Sequence, residues 1–346
     1  MARRTETSAA TLTDVARHAG VSLATASRAL NGSSRVVRPD LAARVQESAR
    51  VLEYRADPSA QAMARGRTTV VGLLVTTISD PYFSSIAAGV MQAAEERGLV
   101  VTLAATGGDP ARELEHVTAL RAQRATAIII AGSRHSTGHG AADPLAAALT
   151  GFRDSGGRVA VVSQQRLPAS TLVVDNRDGA HRLAAELGGL GYRRFGVLAG
   201  PPGLLTSEDR LDGFRAGLES VGLPLTSERV LHVPFTRDGG HAGALEVVER
   251  GWDVDCLFAV NDVMAVGAMA ALRERGVTVP DRMAVAGFDD IETLRDVTPA
   301  LTTVRLPLEQ IGRDAVDLAL AADDDGDVRV ERVRGEVVLR GSTPQR

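Results

Sequence analysis

Between Thr11 and Leu30 the apolar residues recur at helical spacing, with one interruption. Leu12, Val15, Ala16 and Ala19 form one stripe. Thr11 before them is a good N-cap, and Asp14 three residues later completes a capping box. Gly20 ends that helix, because glycine tolerates the left-handed backbone of a sharp turn. Ser22 then caps a second helix running to about Leu30. On it Ala26, Ala29 and Leu30 point inward, while Leu23, Ala24, Ser27 and Arg28 lie on the other side, with Ala24 and Arg28 one turn apart. Pro39 starts a third helix whose stripe, Leu41, Val45, Ala49 and Leu52, closes a three-helix core. These elements define an all-α headpiece over residues 1–55. Residues 56–67 follow as a hinge. Asp57 and Pro58 are an N-cap and N1 pair opening a helix of roughly eight residues, too short to be stable alone in water. Such a segment is either a flexible linker or a helix that folds only when something pairs with it.

Beyond residue 68 strand-like apolar runs alternate with helical ones. TVVGLLV, LVVTLAA, AIIIAG and RVAVVS are separated by helical stretches Tyr82–Arg97 and Ala111–Gln123. A second series opens with TLVVD and continues through RFGVLAG, VLHVPF, CLFAV and MAVAGFD, again with helices between. This alternation predicts an α/β core of two doubly wound lobes, whose ligands bind where the carboxyl ends of the strands face each other. The expected division is 68–169 with 303–322 for the first lobe, and 170–302 with 323–346 for the second.

Charge separates the two parts. Residues 1–67 hold eleven of the 39 basic residues against six of the 43 acidic ones, so a basic head sits on an acidic body and a net −4 chain. Only the head is therefore expected to meet a polyanion. All of the basic residues are arginine, which excludes a P-loop or Schiff-base lysine. The single cysteine, Cys256, excludes an internal disulfide and reads as a buried strand residue. No apolar run is long enough for a membrane span, and Met1–Ala10 lacks the apolar stretch of a secretory signal; a cytoplasmic location follows as the expectation.

Small and polar groups on the outer face of the second helix suit the major groove of DNA. Ser22, Thr25 and Ser27 hydroxyls can hold phosphates, Arg28 can chelate a guanine edge, and Leu23 and Ala24 can touch a thymine methyl. Spacing alone fits a plain helical bundle equally well. In the body, Asp289 supplies acceptors, Arg210 a donor fork, Asn261 both, and Tyr82, Phe83 and Phe235 flat apolar faces, a set suited to a hydroxyl-rich ring. Asp80 before Pro81, and Asn261 or Asp262 before an Ala-rich helix, read equally as N-caps. His135 and His139 are four apart but lie among glycines without a third ligand, and the Asp323, Asp324, Asp325 and Asp327 run lacks the spacing of a calcium loop. Asp289 and Asp290, adjacent at a strand end, point apart and do not make an acid–base pair. No catalytic motif, metal site or cofactor is expected.

The run LTDVARHAGVSLATASRALNG, followed by RVQESARVLEYRAD, resembles the headpiece of the lactose/galactose repressor (LacI/GalR) family. Only Ala26 departs, where the family usually has valine. SDPYF, VDNRDGA, YRRFGVLAGP, SEDRLDGF, FAVNDVMAVGAM, VAGFDD and LTTVR extend the resemblance over the core, which is similar to periplasmic sugar-binding proteins. The resemblance implies a helix-turn-helix headpiece on a periplasmic-binding-protein-like core. It implies a homodimeric repressor of a pseudo-palindromic operator, controlled by a small effector, a carbohydrate or a derivative. By position Leu23, Ala24 and Arg28 become base readers and Ser22, Thr25, Ser27 and Asn31 phosphate contacts. Met63 becomes the side chain wedged into the minor groove, with Ala60 beside it, and Asp80, Tyr82, Phe83, Arg210, Phe235, Asn261 and Asp289 the effector contacts. After LTTVR the chain is expected to return to the first lobe for a helix at about Leu308–Leu320 and to end in the second. Ser163-Gln164-Gln165-Arg166 stands where the family often carries Asp-Arg, which leaves effector identity open. A solute-binding protein or a sugar-processing enzyme with an added helical domain are the rivals from other classes.

Overall fold

Thr11 opens the first helix as its spacing predicts: its hydroxyl accepts from the Asp14 amide while the Asp14 carboxylate accepts from the Thr11 amide. The computed structural model describes residues 10–31, 37–54, 67–136, 143–321 and 328–346. The chain divides into two units, residues 1–69 and 70–346.

The first unit contains α1 (Leu12–His18), α2 (Leu23–Asn31) and α3 (Pro39–Val51). Gly20 has φ +61, and the Arg44 guanidinium crosses that turn to donate to the Ala19 carbonyl. Ser22 Oγ accepts from the Thr25 amide at 3.1 Å, capping α2. Val15, Ala16, Ala19, Ala26 and Val45 are buried together, with Leu12, Val21, Ala29, Leu30, Ala49, Leu52 and Tyr54 packed around them. Leu41, expected in that stripe, is only half-buried and outside the cluster, while Tyr54 joins it. Ala26 is fully buried, so the smaller side chain sits at the centre of the core.

The second unit begins with β1 (Val70–Val75), α4 (Pro81–Glu95), β2 (Val100–Ala105), α5 (Pro110–Ala122), β3 (Ala127–Ala131), α6 (Pro144–Asp154), β4 (Arg158–Val162) and β5 (Ser170–Val174). It continues with α7 (Asn176–Gly189), β6 (Phe195–Ala199), α8 (Leu205–Ser220), β7 (Val230–His232), α9 (Arg237–Glu249), β8 (Cys256–Ala259), α10 (Asp262–Glu274) and β9 (Ala284–Ala286). Last come β10 (Thr303–Arg305), α11 (Leu308–Leu320), β11 (Val330–Val333) and β12 (Glu336–Val338). Six strands form one parallel sheet in the order β11-β5-β4-β3-β1-β2, and four form another in the order β7-β6-β8-β9. A short antiparallel pair, β10-β12, joins the second lobe. The continuous apolar run of β3, buried at every position, is what a parallel strand covered on both faces requires. Cys256 is likewise buried in β8.

Sheet pairing corrects the expected division at three places. Thr303–Arg305, expected in the first lobe, pairs with β12 in the second. Ser170–Val174, read as the opening of the second lobe, pairs with β4 through Ala160↔Ser170, Val161↔Thr171 and Val162↔Leu172. The late strand Val330–Val333 pairs with it in turn. An apolar strand run fixes burial, not which sheet accepts it. The chain thus crosses between lobes after β5, between β10 and α11, and between β11 and β12.

Helix α11 returns to the first lobe, packing on α4 and on β3, β4 and β5. That contact is glycine-dependent: a Cβ at Gly89 would meet the Glu309 carbonyl oxygen, and one at Gly312 the Ile86 carbonyl oxygen. Gly312→Ala is expected to force the helices apart at a cost of ~1–3 kcal/mol. A thermal melt checks this, and an unchanged midpoint would contradict the tight crossing.

Candidate DNA-reading face and effector cavity

On α2 the residues split by face as the helical period requires. Ala26 is buried, whereas Ser22, Ala24 and Arg28 are exposed and Leu23 is 50% exposed. Thr25 and Ser27 are half-buried, and the Ser22 and Thr25 hydroxyls lie 2.8 Å apart. Asn31 is the last residue of α2, and its side chain lies outside the described residues. Ala60 and Met63 lie outside them altogether, as do His139 and the acidic run from Asp323 to Asp327.

A cavity of about 460 Å³ opens between the strand ends of the two lobes. Asp80, Tyr82, Phe83, Arg210, Phe235, Asn261 and Asp289 all line it. Arg210, on α8, is 2% exposed. Each of its three nitrogens donates a hydrogen bond: Nε to Asn176 at 2.8 Å, Nη1 to the Val260 carbonyl at 2.8 Å and Nη2 to Asp289 at 2.7 Å. Its guanidinium also lies 3.9 Å from the centre of the Phe288 ring. Burial pushes the Asp289 carboxyl up, while the Arg210 guanidinium beside it pulls the other way and favours the ionised form. At Asp262 burial prevails over hydrogen bonds from Thr303 and the Ile291 amide, raising it to about 6.

Asp289 and Asp290 have φ +123 and +57, a conformation that L side chains adopt rarely. The turn separates the two carboxylates. Asp289 meets Arg210, while Asp290 meets Arg305 at 2.7 Å and Arg340 at 2.7 Å. Despite partial burial, those two arginines hold Asp290 below the usual carboxylate range.

Asp80 and Asn261 are at once caps and lining residues. Asp80 accepts from the Tyr82 amide at 2.9 Å, and Asn261 accepts from the Met264 amide at 2.9 Å. Tyr82 and Phe83 pack edge to face with centroids 5.0 Å apart. The Phe235 ring sits over Gly200, where a Cβ would overlap it.

Sequence reasoning did not assign Thr76, Ser133, His135, Gln164, Asn176, Thr206 or Thr236 to this cavity, although all line it. The strand-end position was the available signal for Thr76 and Ser133, which follow β1 and β3. Several of these residues bridge the lobes. The Thr206 amide donates to Ser133 Oγ at 3.0 Å, Leu205 to the Arg134 carbonyl at 3.0 Å, and Ser136 to the Gly203 carbonyl at 2.8 Å. Gln164 adds a bond from Nε2 to Thr206 Oγ1 at 3.0 Å, while its Oε1 accepts from the Arg134 amide at 3.0 Å. Arg134 itself is fixed by a buried two-pronged pairing with Glu113, at 2.6 and 2.7 Å. These bonds form a latch across the cleft. Ser133→Ala is expected to weaken it by ~0.5–1.5 kcal/mol, which speeds ligand entry several-fold. Stopped-flow ligand association measures this, and an unaltered rate would show that the latch does not gate entry.

Among the described residues, no three His, Cys, Asp or Glu side chains are placed to hold a metal ion, and no helix is long and apolar enough to cross a membrane.

An exposed recognition-type helix on one unit and a two-lobed ligand cavity on the other define a regulator class in which a small molecule acts on a DNA-binding headpiece. Residues 11–57 match the bacterial regulatory proteins of the lacI family, and residues 184–343 match a periplasmic binding protein-like domain. The regulator GalR of Escherichia coli (strain K12) is 31% identical over 91% of this chain and 90% of its own length. DegA of Bacillus subtilis (strain 168) is 29% identical over 88% of both chains. Among solved structures, a complex of the transcriptional regulator CelR with cellobiose has TM-score 0.69 at 27% identity, covering 96% of this chain and 99% of that one. A lac repressor dimer bound to operator and an anti-inducer shares the fold, with TM-score 0.83 at 23% identity over 97% of this chain and 100% of that one. The chain belongs to the lacI family of transcription regulators.

Proposed function

We propose that the chain acts in the cytoplasm as a homodimeric repressor whose two headpieces read the halves of a pseudo-palindromic operator. Arg28 is the principal base reader, flanked by Leu23 and Ala24. Ser22, Thr25, Ser27 and Asn31 hold phosphates. Met63, with Ala60 beside it, wedges the minor groove from a hinge within residues 56–67. The observation that carries this reading is the outward placement of Ala24 and Arg28 one turn apart on α2, above a core closed by Ala26.

A carbohydrate or a derivative in the cavity, contacting Asp80, Tyr82, Phe83, Arg210, Phe235, Asn261 and Asp289, shifts the lobes and so the hinge equilibrium. Only an effector with different affinity for the two lobe arrangements does so. The protein carries out no chemistry on that ligand. The regulator names among its relatives support the DNA half of the reading, and the cellobiose bound to CelR supports the ligand half. A mobility-shift assay on genomic fragments, read with and without candidate sugars, tests both. Discrete shifted fragments whose binding a sugar alters are expected. Binding that follows fragment length alone would overturn sequence-specific recognition, and sugar turnover would favour an enzyme.

A further inference from the structure

Resting on the effector reading above, we infer that the cavity selects an uncharged effector and rejects its phosphorylated or carboxylated counterparts. The argument begins with the positive groups. Arg210 is the arginine among the described lining residues, and it is engaged on every nitrogen, with Asp289 as its ionic partner. An anion seated there would have to displace a buried carboxylate from a 2.7 Å contact.

Helix N-termini are the other ready anion seats, because their first amides lack partners within the helix. Around this cavity several of those amides are already engaged. Asp80 closes α4, Asn261 closes α10, and Thr236 closes α9 by accepting from the Gly239 amide. At the start of α8, the Leu205 and Thr206 amides are taken by Arg134 and Ser133 of the other lobe. Helix α7 lacks a side-chain cap, but Asp175 and Asp178 flank its entry.

Asp80 brings a further carboxylate, so an incoming anion meets repulsion and, among the described lining residues, no arginine free of a carboxylate partner. The remaining lining offers hydroxyls and amides, from Thr76, Ser133 and Gln164, together with the Tyr82, Phe83 and Phe235 rings. Neutral hydroxyl groups find both donors and acceptors there without disturbing the ion pair.

The test uses the full-length protein and matched sugars. Glucose, galactose and cellobiose are titrated calorimetrically beside glucose 6-phosphate, galactose 6-phosphate, glucuronate and cellobionate, with Phe235→Ala as the site control. The expected result is that whichever neutral member binds loses at least tenfold in affinity on gaining a phosphate or carboxylate, and that Phe235→Ala weakens the neutral complex. An acidic member that binds as tightly as its neutral partner, and is weakened by Phe235→Ala, overturns neutrality while leaving the cavity as the site. Binding of any member that Phe235→Ala leaves unchanged overturns the cavity itself. Silence from all seven compounds overturns the carbohydrate reading, and the selection argued from it.

Discussion

Arg210→Ala is expected to abolish the effector response and to lower the melting temperature. The change leaves Asp289, 4% exposed, without its ionic partner and frees the Asn176 side chain and the Val260 carbonyl from their donor. Breaking such a buried pair from one side costs ~3–5 kcal/mol. Arg210→Lys keeps the charge but not the planar fork that reaches three partners at once, so it is expected to restore part of the stability and little of the response. Thermal melting and the effector-dependent change in DNA binding report the two effects separately. A full response in Arg210→Ala would move the ligand site elsewhere.

The second large effect is expected at the DNA. Arg28→Ala removes the one long hydrogen-bond donor on the outward face of α2, where Leu23 and Ala24 offer only apolar contact. A bidentate arginine–guanine contact is worth ~1–3 kcal/mol, so operator affinity should fall by roughly 5- to 150-fold. Discrimination at one base pair in each half-site should relax, while affinity for unrelated DNA changes little. Titrations against the operator and its single-base variants measure both. Unchanged discrimination would remove Arg28 from the role of reader.

The parts of the molecule that were legible in the sequence are those governed by short-range chemistry. Thr11 with Asp14, the turn at Gly20, the Ser22 cap and the burial of Ala26 all follow from neighbours within one or two helical turns. The two parallel lobes follow from the alternation of apolar runs with helices. Strand β5 was assigned to the wrong lobe because an apolar five-residue run carries no mark of its pairing partner. Sheet membership is set by pairing on both sides, here with β4 ten residues earlier and with β11 more than a hundred positions later, and neither leaves a mark in the run itself.

The cavity shows the same division. Tyr82, Phe83, Arg210, Phe235 and Asp289 were legible because their chemistry is distinctive at strand ends and helix starts. Asp80 and Asn261 were ambiguous for a physical reason: capping uses one oxygen of each side chain while the residue still lines the cavity. Ser133, Gln164 and Thr206 carry no spacing signal, since their bonds join two lobes through main-chain atoms and short polar side chains.

The place of β11 has a consequence for how the polypeptide matures on the ribosome. The headpiece is complete once its three helices emerge and is free to fold early, as a unit apart from the rest. The first large sheet is not. Its edge strand, Val330–Val333, and the helix packed on its β3, β4 and β5, Leu308–Leu320, are synthesised only after all its other strands. A nascent chain therefore displays a finished DNA-reading module while its sensor remains half-built. Proteolysis of stalled chains should find the three headpiece helices, Leu12–His18, Leu23–Asn31 and Pro39–Val51, protected well before the core resists cleavage.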